Sequence, residues 1–176
     1  MLRLVLFNKD ERFTVAQAAY RARVPKASAR KELELFASIH LLKKQKQGRE
    51  VAYRLNPSFE HYDALKIFFR RTTDVKHKDV AKAVRGCGAI KLLVLSGTLT
   101  DTVESSVDIL IVGDKIQQGK VDRVIRSLEA ELGQELSYAV FTSQDFSYRL
   151  GVYDRLLRDV LEYPKVVLID TIGATR

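Results

Sequence analysis

The sequence is poor in the residues that build covalent or metal frameworks: in 176 residues it has one cysteine, three histidines and three prolines. A lone thiol, Cys87, excludes an internal disulfide and fits a reducing compartment. We read Cys87 as a small, half-buried residue. His40, His61 and His77 are scattered, and no second thiol accompanies them, so no zinc-ligand spacing exists. Long hydrophobic runs are missing as well. The longest apolar runs, such as Ile90 to Leu95 broken by Lys91, are far too short to cross a bilayer. Residues 1 to 8 lack the apolar stretch and small-residue cleavage site of a signal peptide. From these absences we expect a cytoplasmic protein with no membrane partner. No internal repeat and no low-complexity segment is present.

What the chain does have is positive charge, unevenly placed. Lys and Arg number 30 against 22 Asp and Glu, a formal net charge of +8. Residues 1 to 78 hold 18 basic against 8 acidic residues, or +10, while residues 79 to 176 hold 12 against 14, or −2. A surplus confined to one half points to a dedicated phosphate-facing surface there, and nucleic acid is the expected partner.

The pattern of that half supports the same expectation. Residues 1 to 7, MLRLVLF, are taken as a first helix. Thr14 is placed to cap a second, whose apolar residues Val15, Ala18 and Ala19 recur at three and four positions. Pro25 breaks the period. After it Ala29, Leu33, Phe36 and Ala37 share one face of a third helix, leaving Lys26, Ser28, Arg30, Lys31 and Glu34 towards its other sides. An unpartnered buried cation costs several kcal/mol, so this front end is expected to face outward. Lys43 to Gln47, a tight turn at Gly48, and Val51 to Leu55 then read as a basic hairpin containing Lys43, Lys46 and Arg49. Pro57 ends it. From Phe59 a helical pattern carries Tyr62, Leu65, Ile67, Phe68 and Phe69 to Arg70, Arg71 and Thr72, more apolar surface than one small domain covers.

Two helices joined by a short turn, the second with a basic start, followed by a basic hairpin resemble the winged helix-turn-helix of bacterial transcriptional regulators, over residues 2 to about 57. The resemblance implies a DNA-binding domain, drawn as residues 1 to 72. It implies that Ser28, Arg30 and Lys31 enter the major groove of double-stranded DNA with Lys26 at its mouth, while Lys43, Lys46 and Arg49 track the neighbouring backbone. Because such regulators commonly read two half-sites, it also suggests a homodimer.

A polar connector, residues 73 to 79, leads into alternating strands and helices. Strands are expected at Ile90 to Leu95, Val107 to Asp114, Leu136 to Phe141 and Lys165 to Ile169. Helices are expected at Val80 to Arg85, Ile116 to Leu132, Ser143 to Leu150 and Val152 to Leu161, with Gly133 as the glycine after the longest. The fold class is therefore mixed α/β (α+β), with the second domain drawn at 79 to 176.

Strand, Ser96-Gly97 turn, loop, and a strand bearing Asp108 resemble the minimal nucleotidyltransferase fold, over about residues 80 to 170. Active members carry a Gly-Ser turn and an acidic pair at i and i+2, which share one side of a strand and hold a divalent metal against a triphosphate. Here the turn reads Ser96-Gly97, Ser106 stands where the first acid belongs, only Asp108 is kept, and the third strand has no carboxylate. Asp101 and Glu104 in the loop are poorly placed to substitute. The expected second domain is thus a pseudoenzyme without cofactor. Ser96, Gly97, Ser106 and Asp108 mark its vestigial site, and Asp108 is expected to be held by amides of the turn. The remaining uses are sensing a nucleotide or other small-molecule effector, or protein assembly. Two rivals stand beside this reading: an active nucleotidyltransferase of toxin–antitoxin type with an autoregulatory head, and a protein-binding scaffold.

Overall fold

The computed structural model describes residues 1–48, 50–72, 76–100 and 105–175. Among them the chain is mixed α/β, with eight α-helices and two sheets. The chain folds as two compact units, Met1–Asp74 with Arg126–Glu135, and Val75–Ile125 with Leu136–Arg176. No helix of the described residues is long and apolar enough to cross a membrane.

The first unit opens with α1 (Leu2–Phe7), β1 (Phe13–Thr14), α2 (Val15–Ala22) and α3 (Lys26–Ser38). It continues with β2 (Leu42–Gln47), β3 (Glu50–Leu55) and α4 (Tyr62–Thr72). The Thr14 side chain accepts from the Gln17 amide while Gln17 Oε1 accepts from the Thr14 amide, a reciprocal cap that starts α2. Its end is set by Arg23 in the left-handed region, at φ 53°. Three strands form an antiparallel sheet in the order β1, β3, β2, with Phe13 opposite Tyr53 and Lys44 opposite Tyr53 on the other edge. Leu4, Val5 and Leu6 of α1, Phe13, Ala18, Leu33, Phe36, Leu42, Tyr53 and Leu55 make one buried core. Each fully buried aliphatic side chain there contributes roughly 1.5–3 kcal/mol.

The two-residue strand β1 has no counterpart in the sequence pattern, because a segment so short shows no period. The helix expected from Phe59 begins at Tyr62; Phe59 packs on the core from outside it. Residues 126–135 close against α1. Asn8 Nδ2 donates to Leu4 O at 2.7 Å and Gly133 O at 2.6 Å, and Arg3 donates to Glu131 O at 2.9 Å. Gly133 has φ 80°, and a Cβ there would lie 2.5 Å from the Arg3 carbonyl carbon, so only glycine permits this approach.

The second unit holds α5 (His77–Arg85), β4 (Ala89–Leu95), β5 (Ile109–Asp114) and the first part of α6 (Gln118–Leu132). After them come β6 (Tyr138–Phe141), α7 (Ser143–Gly151), α8 (Arg155–Glu162) and β7 (Val166–Asp170). A short 3-10 helix, Gly97–Thr100, occupies the start of the loop expected after β4. The sheet order is β6, β5, β4, β7; β4 runs antiparallel to both neighbours, and β5 and β6 are parallel. Leu92, Val94, Leu110 and Val112 pack on Phe146, Leu157 and Val160. The alternate residues Leu93, Leu95, Ile109 and Ile111 are equally buried on the opposite face. Both faces are covered, which is why these strands read as continuous apolar runs. The last helix starts at Arg155 and not Val152, because Asp154 caps it through the amides of Leu156 and Leu157 after Tyr153 turns left-handed at φ 54°.

Candidate nucleic-acid interface

Helix α3 separates its residues by 3.6 per turn, and its buried Ala29, Leu33 and Phe36 fix which way it faces. Lys26, Ser28, Arg30 and Lys31 are all exposed. They do not form one row. At about 100° per residue, Lys26, Arg30 and Glu34 follow one flank, whereas Ser28 and Lys31 lie across the outward side with Leu35. The first flank opens into a groove of about 450 Å³ lined by Lys26, Arg30, Glu34, Val51, Tyr53 and the start of α2.

Glu34 joins α3 to the hairpin. Its carboxylate accepts from Lys44 Nζ through Oε2 and from the Tyr53 hydroxyl through Oε1. The hydrogen bond from Lys44, then that from Tyr53, hold the Glu34 carboxyl below its ordinary range. Burial, reinforced by the bond to Glu34, pushes the Tyr53 phenol up from 10.0 to about 12. This clamp was not visible in the sequence, since its partners are 10 and 19 residues apart. It neutralises Lys44. Among the described residues Lys26, Arg30, Lys31, Lys43 and Lys46 form no ion pair.

Strand parity then divides the hairpin cations. Side chains two apart share a face, so Lys46 lies on the same face as Lys44, the one that meets α3. Lys43 is on the opposite face, across from Arg54, whose guanidinium reaches Asp10 at 3.4 Å. The structure thus brings Lys26, Arg30 and Lys46 to one side of the unit and sends Lys43 to the other. Arg49 lies outside the described residues.

In the second unit Ser96, Gly97, Ser106 and Asp108, expected to mark a vestigial site, are neighbours. Asp108 is 7% exposed, and both of its oxygens are engaged: Oδ1 accepts from the Thr98 amide at 2.6 Å and Oδ2 from the Ser137 amide at 2.8 Å. One of these donors comes from the turn; the other, 29 residues away, follows α6. Gly97 sits at φ 55° with room for no side chain, as a Cβ would meet Asp108 Oδ1 at 2.5 Å. Ser96 is fully buried and its hydroxyl donates to Val107 O at 2.6 Å. Ser106 donates to Asp159 Oδ2 at 2.8 Å. Among the described residues Asp159, buried on α8, is a carboxylate near this turn that sequence reasoning missed; nothing in its local pattern separates it from a surface acid.

Asp101 and Glu104 lie outside the described residues. Among the described residues no three His, Cys, Asp or Glu side chains gather as metal ligands. Cys87 is more buried than expected, at 1% exposure, and burial pushes its thiol up from the ordinary value. Comparison with protein-family models, with curated proteins and with solved structures finds no match to this chain.

Proposed function

We propose that the chain is a transcriptional regulator that binds double-stranded DNA through a winged helix-turn-helix, residues 1 to 72, and that its second domain, residues 79 to 176, is nucleotidyltransferase-like without transferase activity. The observation that carries the first part is the set of exposed cations on α3, Lys26, Arg30 and Lys31, which form no close ion pair among the described residues, with Lys46 on the adjoining face of the hairpin. The element order supports it too: α2, a three-residue turn, α3 and a two-stranded hairpin suit a recognition helix and a wing. In this mechanism Ser28 and Lys31 meet base edges in the major groove, and Lys26, Arg30 and Lys46 meet phosphates.

The second part is supported by Asp108. A carboxylate whose two oxygens accept part-buried backbone amides is a fold-holding group, and the hydroxyl of Ser106 beside it is engaged by Asp159. The domain serves assembly or effector sensing in this reading.

The test is duplex binding at several salt concentrations. Arg30→Ala with Lys31→Ala should weaken binding and flatten the salt slope by roughly one unit per lost phosphate contact. An unchanged affinity and slope would remove the interface from this face. Selection of bound fragments from genomic DNA identifies the operator, and labelled ATP or CTP with Mg²⁺ and candidate acceptors should yield no transfer.

A further inference from the structure

Residues 79 to 176 together carry −2, so composition gives no sign of a cationic surface in the second unit. The fold builds one. Val80, Ala81 and Val84 bury one side of α5, and Lys82 and Arg85 stand exposed near its end. The residues that follow lie against the start of α6: Cys87 O accepts from the Gln117 amide at 2.8 Å, and Gly86 O from Lys120 Nζ at 3.3 Å. A Cβ on Gly88 would lie 2.9 Å from the carbonyl oxygen of Lys115. Burial pushes the Cys87 thiol up while Lys120 and Arg123 both pull against it, so their charges reach the end of α5 as well. Lys115, Lys120 and Arg123 are exposed. Cations from segments 34 positions apart thus gather around residues 86 to 88.

Their acidic neighbours are engaged elsewhere. Asp114 holds Lys91 and Ser143, and Asp122 accepts from Gln118 and Tyr138. Asp79 stands in the first turn of α5, at the positive end of its dipole. Among the described residues Lys82, Arg85, Lys115, Lys120 and Arg123 form no ion pair. Helix stability accounts for only part of the cluster. The end of α5 favours Lys82 and Arg85, but Lys120 sits in the first turn of α6, where the dipole disfavours a cation.

The face offers charge and little else. Among the described residues from 76 to 125 no large hydrophobic side chain is exposed, so there is no platform on which an unpaired base stacks and no apolar face to enter a lipid surface. A duplex asks for neither, since its bases are stacked inside and its outer surface is a regular array of phosphates. We propose that this face of the second unit is a second DNA contact, made to duplex phosphates alone and indifferent to base sequence. That the polyanion is DNA rests on the reading of the first unit; the face itself uses no residue of α3 or of the hairpin.

Binding of the full chain to two duplexes of equal length and unrelated sequence, over a salt series, tests it. Lys82→Ala with Arg85→Ala should lower the salt slope by roughly two units, and adding Lys120→Ala with Arg123→Ala by roughly two more, equally on both sequences. Lys82→Arg with Arg85→Lys should keep the wild-type slope. Because Lys120 also touches Gly86 O, circular dichroism checks the fold of the fourfold variant; if it unfolds, the Lys82 and Arg85 pair decides. Arg30→Ala with Lys31→Ala, measured beside them, separates the two readings. A slope that falls for that pair and not for Lys82 with Arg85 would overturn this proposal and leave the first-unit interface standing. The converse would remove the first-unit interface and leave this contact in place. A loss confined to one sequence would overturn the proposal, as would a wild type that binds neither duplex. So would double-stranded RNA that competes better than DNA for the wild type but not for the Lys82 and Arg85 variant, which would give the face to RNA.

Discussion

The face built by α3 and the β2–β3 hairpin and the turn between β4 and β5 are both rich in polar residues, yet they treat them in opposite ways. On the first, Lys26, Arg30, Lys31 and Lys46 are exposed and form no close ion pair among the described residues, although Arg30 lies near enough to Glu34 to help lower its carboxyl. Hydrated cations of this kind cost the fold little and remain free to meet an anion. At the turn, Ser96, Asp108 and Asp159 are buried and bonded to Val107 O, to the Thr98 and Ser137 amides, and to Ser106. Those groups hold backbone in place, and moving any of them leaves a buried donor or acceptor unmatched. Residue type alone does not distinguish a contact surface from a strut; the availability of the polar atoms does.

The sharpest way to break this contrast is to remove one group from each side. Asp108→Ala should destabilise the second unit by up to about 3 kcal/mol, because two part-buried amides lose a charged acceptor. Its duplex affinity, measured on the folded fraction, should stay at the wild-type level. Denaturant unfolding followed with duplex binding checks both halves, and a stable variant that loses DNA would invert the comparison. Next in size is Arg30→Ala with Lys31→Ala. Here the contrast demands the reverse: binding weaker by about 1–3 kcal/mol for a lost base contact, with stability changed by less than about 0.5 kcal/mol.

Much of this contrast is legible in the order of residues alone. Ala29, Leu33 and Phe36 recur at helical spacing, so the buried side of α3, and hence the outward turn of its cations, follows from that spacing. The apolar runs of β4 and β5 likewise announce strands covered on both faces. Asp108 is expected to be held by amides of the Ser96-Gly97 turn, and the amide that meets it is that of Thr98, the residue just after the pair. The other, from Ser137, arrives only when β5 and β6 lie side by side, as Ser106 meets Asp159 and Asn8 meets Gly133 only in the folded chain. Such pairs join residues 29, 53 and 125 positions apart, where local periodicity carries no signal. A different kind of miss concerns Asp154, whose place before Arg155-Leu156-Leu157 is a legible N-cap signature that overrides the apolar Val152.

The clamp between α3 and the hairpin offers a smaller effect that sharpens the comparison. Tyr53→Phe should cost about 1 kcal/mol, the worth of one hydrogen bond to a charged acceptor less the relief of a smaller buried group. Its pH dependence has a definite sign. Tyr53 titrates higher in the fold than its ordinary 10.0, at about 12, so its stabilising share is complete below pH 10 and disappears as pH rises through about 12. Glu34 is shifted the other way, and its share is present above the ordinary carboxylate range and fades as pH falls below it. Thermal melts from acid to alkali should show both losses in the wild type and lack the alkaline component in Tyr53→Phe. Identical alkaline limbs would mean that the Glu34–Tyr53 contact holds nothing.

The smallest expected effect is the most discriminating one for the interface. Lys43 and Lys46 are three apart on β2, both exposed and both unpaired among the described residues, and composition treats them alike. Parity does not: Lys46 shares the face of Lys44, which meets Glu34 of α3, while Lys43 shares the face of Arg54. If α3 and that side of the hairpin dock on a duplex together, Lys46→Ala should lower the salt slope by about one unit, and Lys43→Ala should leave it almost unchanged. Equal losses from both would point to an unspecific cationic cloud around the whole hairpin. A larger loss from Lys43 would put the duplex on the face away from α3, and the helix would then have no part in reading it.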